Sequence, residues 1–430
     1  MSQTSTPAPK GGGLAFAYVT TLFFAWGFAT SLIDPLIAAV RKVFELSYTE
    51  ALLTASAWFI AYGVASIPAA WVLGRLGYSR AIIAALGTII AGCLIVPVAT
   101  MMDQYVGILL ALFVIASGVT LLQVAANPLV AALGSRATSH FRLVFSQAFN
   151  SLGTTIGPWL GSHVLLTGGV FAAGAVVTAA TRGQSLRSID LAFLSMGAFF
   201  LLIALFIFSA RKSINAAAAG ADGGAEVSSP LAAFGSPWAL FGALAIFLYV
   251  GSEVAIGTML TNFLNAPSIL DIPLEEAGKM VAYYWGGAMV GRFLGSVVLR
   301  FVKAGVVLTI CTIAAAILCA VVTQTGGTTA AYAALAIGLF NSIMFPTIFT
   351  LTLERSSAPA SATSGLLCMA IIGGAVLPIL AGRIADAAGG NLSPAFVVPM
   401  LGYVGLTVFA IACARTKGRG GEAVSVPTGH

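Results

Sequence analysis

The chain has 430 residues, of which 59% are hydrophobic and only 8% are charged. A soluble domain carries roughly 25% charged residues, so the composition excludes a soluble globular protein and predicts a membrane protein with many spans. The apolar runs are continuous, which argues against a β-barrel, whose strands alternate. The formal net charge of +6 therefore reports on membrane topology, and we expect no nucleic-acid partner.

Twelve apolar segments follow one another along the chain, and each is long enough for a membrane-spanning helix of about 20 residues. The first six are residues 13–40, 48–73, 80–101, 104–133, 143–167 and 189–210. The second six are residues 237–262, 277–299, 304–323, 330–353, 361–382 and 394–414. We predict an all-α polytopic protein whose partner is the lipid bilayer.

The stretch between the two sets is rich in Ala, Gly, Ser and Pro, a composition typical of a linker. The predicted organisation is an N-terminal six-helix half (1–210), a cytoplasmic linker (211–236), a C-terminal six-helix half (237–415) and a cytoplasmic tail (416–430). With the N-terminus inside, thirteen basic residues flank the segments on the cytoplasmic side and six on the other side. This bias follows the positive-inside rule, so both termini are predicted to be cytoplasmic.

The two sets of six segments repeat one another. Matching glycines and prolines recur at nearly one offset: Gly153 and Pro158 correspond to Gly373 and Pro378, and Asn127–Pro128 corresponds to Phe345–Pro346. Two pseudo-symmetric halves with one internal plan are typical of a transporter that rocks around a site at their interface.

A carboxylate interrupts the first segment. Asp34 lies beside Pro35, and its nearest basic residue is Arg41. A charge at membrane depth costs at least roughly 2.5–3.5 kcal/mol, and the proline can kink the helix and free backbone carbonyls. Asp34 is therefore interpreted as a protonatable or sodium-binding coupling group in a water-filled cavity. The alternative is that it pairs with Arg41 at the membrane surface or caps a broken helix.

Two further charges fall within the second set of segments. Glu253 is predicted to point inward to a partner or water, and Arg292 is predicted to be a gating or structural charge near the cytoplasmic end of its helix. No GxxxxGK[ST] motif is present, which argues against direct ATP drive. No His/Cys cluster suggests a metal and no triad suggests an enzyme, so we expect no cofactor other than the coupling ion.

Amide side chains form stripes on three of the predicted helices. They are Gln123 and Asn127 on the fourth segment, Gln147 and Asn150 on the fifth, and Asn341 on the tenth. Amides both donate and accept hydrogen bonds, which suits the hydroxyls of a neutral sugar, and Trp26 and Trp285 could stack on its ring. Singly, each amide could instead link helices and each aromatic could pack. Taken together, the stripes favour substrate binding.

Six stretches carry a resemblance to a known family: FFAWGFATSLIDPL, LQVAANPLV, FRLVFSQAFNSLG, YVGSEVAIGTML, YYWGGAMVGRFLGS and FPTIFTL. In this order they resemble the fucose–galactose–proton symporter family of the major facilitator superfamily. The resemblance implies twelve helices, alternating access and cation-coupled uptake of a monosaccharide through the bacterial inner membrane. It also implies that Asp34 is the aspartate of the family's first helix.

The resemblance points to one branch of that family. Fucose permeases have a glutamate where this chain has Gln123, and the glucose/galactose branch shares Gln123 and Glu253. Glucose, galactose or mannose is therefore favoured over L-fucose. Proton and sodium coupling both stay open, because the second carboxylate is missing. A facilitative sugar uniporter and a drug or metabolite exporter are the alternatives within the fold; a channel or receptor is the alternative outside it. We expect a monomer.

Overall fold

The computed structural model describes residues 12–31, 40, 43–45, 48–165, 178–219, 229–416 and 418. Within these residues the regular structure is helical. The first six long helices are α1 (Gly12–Ser31), α2 (Tyr48–Leu76), α3 (Tyr78–Met101), α4 (Tyr105–Ala132), α5 (Ser139–Leu165) and α6 (Ala179–Ala219). The remaining ones are α7 (Pro237–Asn265), α8 (Leu274–Val298), α9 (Ala304–Gln324), α10 (Gly327–Asn341), α11 (Met344–Arg355), α12 (Ala360–Met369), α13 (Gly373–Ala387) and α14 (Val397–Arg415).

Each predicted segment overlaps one helix or one helix pair, and residues 32–39 of the first segment and 166–167 of the fifth lie outside the described residues. Within the described residues, ten spans are long and apolar enough to cross a membrane. Helices α5 and α8 are not among these ten, although their 27 and 25 residues give them sufficient length. Both carry polar side chains, including Gln147 and Asn150 on α5 and Arg292 on α8. The prediction of an all-α polytopic fold is confirmed.

The tenth predicted segment is broken into α10 and α11 at residues 342–343. Pro346 lacks the amide hydrogen that would bond the carbonyl of Ser342, four residues earlier, in a continuous helix. At the matching position of the first half, Pro128 lies inside α4, which remains one helix. The eleventh segment is also divided, because a short 3₁₀ turn, Ala370–Ile372, separates α12 from α13.

Helix α6 is longer than its predicted segment. It has 41 residues and continues to Ala219, so the first residues of the predicted linker are helical. The sequence RKSINAAAA contains no proline or glycine and several strong helix formers, which explains the extension. The glycines and prolines that indicate a linker lie in its later residues. The exact boundary between the halves stays a prediction.

The chain divides into two compact units. The described residues of one unit are 131–145 and 231 onwards, and those of the other belong to 9–130 and 146–230. In the first of these units, α7 packs on α13 and α14, and α8 packs on α10. In the other, α6 packs on α3 and α1. Residues 131–145 cluster with the later helices, and the predicted bounds of the two halves stay predictions.

The segment 131–145 is held in its unit by polar contacts at the end of α11. His140 Nε2 lies 3.1 Å from Glu354 Oε1, and the Ser139 hydroxyl donates to the same oxygen at 3.2 Å. The Arg300 guanidinium lies over the Phe141 ring at 4.4 Å from its centroid. These contacts explain why a segment that follows α4 in sequence clusters with α7–α14.

Candidate functional site

The amide of Gln123 is buried in α4 and held by a tyrosine of α2. Its Nε2 donates to the Tyr62 hydroxyl at 2.6 Å, and the two side chains are 7% and 4% exposed. A buried hydrogen bond of this kind fixes the orientation of the amide, because an unpaired donor would cost about 1–3 kcal/mol. Tyr62 therefore positions the side chain that the family resemblance singles out.

Asn127, one turn further along α4, differs from Gln123 because its amide has no hydrogen-bond partner among the described residues. Its side chain is fully buried, yet neither its amide oxygen nor its amide nitrogen has a hydrogen-bond partner among the described residues. Buried polar groups are nearly always paired. Asn127 thus retains the full hydrogen-bonding capacity of an amide, which a water molecule or a ligand hydroxyl could use.

On α5, Asn150 contacts the backbone of α1. Its Nδ2 donates to the Phe23 carbonyl at 3.1 Å, so this donor links two helices. Trp26 packs against Phe23, with a distance of 4.1 Å between the two ring centroids. The side chains of Trp26 and Gln147 are both buried. The four amides and Trp26 all belong to one compact unit. For Asn150, the contact matches the alternative interpretation of an amide as a helix link.

In the other unit, Asn341 is the centre of a buried polar cluster. Its Nδ2 donates to the Tyr284 hydroxyl at 2.8 Å, and its Oδ1 accepts from the Tyr403 hydroxyl at 2.8 Å. All three side chains are fully buried. Asn341 ends α10, Tyr284 lies on α8 and Tyr403 on α14, so the amide ties three helices together at the break in the tenth segment.

Glu253 joins this cluster through Tyr249. The Tyr249 hydroxyl lies 2.7 Å from Glu253 Oε1 and 3.1 Å from the backbone oxygen of Asn341. Tyr249 precedes Glu253 by one helical turn on α7, so the two side chains share one face. Glu253 therefore has a partner, as expected from the cost of a lone charge.

Arg292 of α8 completes the cluster. Its Nε donates to the Ser342 carbonyl at 3.0 Å, the carbonyl that Pro346 leaves without its helical donor. The guanidinium is also within electrostatic range of the Glu253 carboxylate. Arg292 thus caps the broken helix, and its gating or structural role stays a prediction.

Trp285 lies at the edge of this region. Its ring meets that of Tyr284 edge-on at a centroid distance of 5.0 Å, and the side chain is 45% exposed. A Cβ added at Gly257 of α7 would lie 3.0 Å from the Trp285 ring, so this glycine lets the indole lie against α7. The accessible part of the aromatic ring could stack on a sugar.

Asp34 and Arg41 lie outside the described residues, so the coupling site and its alternative stay predictions. Three tyrosines were missed by sequence reasoning: Tyr62, Tyr249 and Tyr403. Only Tyr249 carried a signal, because it stands four residues before a charged residue on an apolar helix. The partners of Gln123 and Asn341 come from distant segments, and no local pattern reveals them.

The arrangement offers different chemistry in the two units. One unit holds buried amides, among them Asn127, which has no hydrogen-bond partner among the described residues, and Gln123, which Tyr62 orients. Such amides suit neutral hydroxyls. The other holds a carboxylate, an arginine and three tyrosine hydroxyls around a helix break. The family model described as Major Facilitator Superfamily matches residues 19–367.

The chain belongs to the major facilitator superfamily. It is 40% identical over 415 residues to the glucose/galactose transporter of Brucella abortus, an alignment that covers 95% of this chain and 96% of that one. It is 32% identical over 414 residues to the L-fucose-proton symporter of Escherichia coli, covering 92% of each chain. The predicted membership of the fucose–galactose–proton symporter family is confirmed.

A solved structure of this superfamily has the same fold. The transporter FucP in the outward conformation superposes with a TM-score of 0.82 at 26% identity, covering 94% of this chain and 100% of FucP. These relatives are transporters, and the expectation that this major facilitator protein is not an enzyme is confirmed.

Proposed function

We propose that this major facilitator protein imports a hexose of the glucose, galactose or mannose type by symport with a cation. The observation that carries the proposal is the likeness to the Brucella abortus glucose/galactose transporter along 95% of the chain. The neutral amide at Gln123, held by Tyr62, supports a substrate without net charge. The alternating-access mechanism is part of the proposal.

The proposed sugar ligands are the amides and indoles predicted from sequence. They are Gln123, Asn127, Gln147, Asn150, Asn341, Trp26 and Trp285. The buried and unpaired amide of Asn127 and the exposed ring of Trp285 have the most capacity for a ligand. Tyrosines engage one donor and one acceptor of the Asn341 amide, which leaves one N–H and one oxygen lone pair for a sugar hydroxyl.

Asp34 is the proposed coupling residue. The coupling ion is a proton or sodium, and the likeness to a protein named L-fucose-proton symporter favours the proton. We place the protein in the bacterial inner membrane with both termini in the cytoplasm, an orientation supported by the basic residues that flank its helices, and we expect a monomer.

Counterflow of labelled hexose in proteoliposomes tests this proposal without presuming a driving ion. Vesicles loaded with unlabelled glucose or galactose should take up the labelled sugar transiently, and protein-free vesicles should not. Excess galactose, mannose and L-fucose, added in turn, rank the substrates. Absence of hexose counterflow, together with export of an apolar drug, would replace the symporter by the exporter alternative.

A further inference from the structure

The hydroxyl of Tyr249 faces two acceptors but has one proton. Glu253 Oε1 lies 2.7 Å away and the Asn341 carbonyl lies 3.1 Å away. A tyrosine hydroxyl donates one hydrogen bond and can accept others. When Glu253 is ionised, both neighbours are acceptors, and only one of them can receive the proton.

The conflict disappears when Glu253 carries a proton. The carboxylic acid then donates to the Tyr249 oxygen, and the Tyr249 hydroxyl donates to the Asn341 carbonyl. When Glu253 is ionised, its charge attracts the hydroxyl, because charge-assisted hydrogen bonds are the stronger ones. The Asn341 carbonyl then loses its tyrosine donor. Tyr249 therefore reports the protonation state of Glu253 to the helix break.

Both states are compatible with the surroundings. Among the described residues, charged and titratable groups that interact electrostatically with Glu253 are Tyr249 on its own helix and Arg292 and Tyr284 on α8. Arg292 compensates the ionised carboxylate, since an opposite charge nearby favours the charged form. The hydrogen-bonded chain through Tyr249 satisfies the protonated acid. A carboxyl group with two supported states can bind and release a proton.

The helix break gives this proton a structural consequence. Tyr249 bonds the carbonyl of Asn341, the last residue of α10, and Arg292 bonds the carbonyl of the next residue, Ser342. Arg292 thus bonds the helix break and interacts electrostatically with Glu253. Tyr249 forms hydrogen bonds to the helix break and to Glu253. Loss or gain of one proton redistributes these bonds at the point where the tenth segment can bend.

We propose that Glu253 is a proton-binding site of the transport cycle and that Tyr249 and Arg292 couple its protonation to the break between α10 and α11. The site lies in the second half of the chain. It supplies the second carboxylate that is missing at Gln123. The inference rests on the proposed symport for its role in accumulation, but proton binding at Glu253 is testable without sugar.

Infrared difference spectroscopy of the sugar-free protein in lipid nanodiscs, between acidic and alkaline pH, tests proton binding directly. The parent should show the C=O stretch of a protonated carboxylic acid, and Glu253→Gln should lose that component. Glu276→Gln is the matched control, because Glu276 is exposed at the start of α8 and should retain the band. If Glu253→Gln does not fold, Glu253→Asp should show the band at a shifted frequency.

Proteoliposome assays test the coupling. Glu253→Gln resembles the protonated acid, so it should keep hexose counterflow and lose accumulation driven by a pH gradient. Tyr249→Phe should retain the infrared band and also lose accumulation. Tyr332→Phe, at an exposed tyrosine of α10, should behave as the parent.

The two proposals fail in different ways. An unchanged carboxylic acid band in Glu253→Gln, no such band in the parent, or full accumulation in Glu253→Gln would overturn the proton site. Absence of hexose counterflow in the parent, with the band lost in Glu253→Gln, would overturn the proposed substrate and leave the proton site standing.

Discussion

Gly153 of α5 and Gly373 of α13 stand 220 positions apart, and each lies against a backbone carbonyl of a neighbouring helix in its own unit. A Cβ at Gly153 would overlap the Phe24 oxygen of α1, and a Cβ at Gly373 would overlap the Phe247 oxygen of α7. Small residues of this kind let membrane helices pack backbone to backbone. The sequence repeat therefore has a common packing basis in both units.

Adding a methyl group at either glycine should destabilise the protein. Gly373→Ala should cost about 1–3 kcal/mol by overpacking, which outweighs the gain of about 1 kcal/mol in helix propensity. Gly382 lies on the same helix, and a Cβ added there would meet nothing within 4 Å, so Gly382→Ala should be neutral or stabilising. Thermal unfolding in detergent measures both variants. Equal midpoints for the two would contradict the close approach.

Removing the Gln123 amide should weaken hexose binding. Loss of one buried hydrogen-bond partner costs about 1–3 kcal/mol, so Gln123→Ala should raise the Kd for sugar roughly tenfold or more. Tyr62→Phe should have a smaller effect in the same direction, because it frees the amide without removing it. Gln104→Ala, at an exposed loop residue, is the control. Unchanged sugar affinity in Gln123→Ala would remove Gln123 from the site.

Asn341→Ala distinguishes a structural role from sugar contact. The substitution leaves the hydroxyls of Tyr284 and Tyr403 without their amide partner, at about 1–3 kcal/mol for each stranded group. We expect a lower unfolding midpoint in the absence of sugar. A normal midpoint combined with a raised Kd for sugar would instead identify Asn341 as a ligand whose tyrosine contacts contribute little.

The topology was predictable because the lipid bilayer imposes a strong and local signal. Runs of about 20 apolar residues predicted the order of the helices without any knowledge of contacts, whereas the orientation indicated by the positive-inside bias stays a prediction. The break at residues 342–343 was not predicted, because Pro346 has the same sequence signature as Pro128, which α4 tolerates. Only the tertiary surroundings distinguish them, since Tyr249 and Arg292 satisfy the carbonyls at the break.

The sequence indicated which types of residue form the candidate site, but it did not indicate which residues they contact. The cost of a charge in lipid predicted a partner for Glu253, and the Tyr249 hydroxyl contacts it at 2.7 Å; the roles of Glu253 and Arg292 in transport stay predictions. The engagement of Asn341 by two tyrosines depends on contacts between α8, α10 and α14, and sequence spacing carries no information about these. The extra length of α6 follows from helix propensity, which a hydropathy pattern does not measure.

Asp103 and Arg182 form an exposed ion pair whose contribution depends on pH. Arg182 Nη1 donates to Asp103 Oδ2 at 2.7 Å, and its Nε donates to the Val43 carbonyl at 2.8 Å. The hydrogen bond from Arg182, together with its charge, lowers the pKa of Asp103. The pair therefore stabilises the protein fully above the unfolded-state pKa of about 3.9.

We expect Asp103→Asn to lower the unfolding midpoint slightly at neutral pH, because an exposed pair contributes little. The difference from the parent should vanish as the pH falls through the lowered pKa of Asp103. Asp271→Asn is a close control, since Asp271 and Asp103 have φ angles of 52° and 54° and Asp271 has no ion pair in the described part of the chain. A deficit of Asp103→Asn that persists in acid would refute the electrostatic origin.

Replacing Asp34 by asparagine should separate exchange from accumulation. The amide cannot release a proton, so Asp34→Asn should lose accumulation against a gradient and retain counterflow. Folding should be preserved, because an amide is less costly in lipid than a charge. Accumulation equal to the parent under both pH and sodium gradients would favour the interfacial pairing with Arg41.

Accumulation of labelled glucose or galactose by the parent protein in proteoliposomes tests the central claim of cation-coupled symport most directly. A pH gradient is imposed without sodium, and a sodium gradient is then imposed at fixed pH. We predict that the internal hexose concentration rises above the external one under one of these gradients and returns to equality when an ionophore dissipates it. Hexose that only equilibrates under both gradients would contradict symport and identify a uniporter.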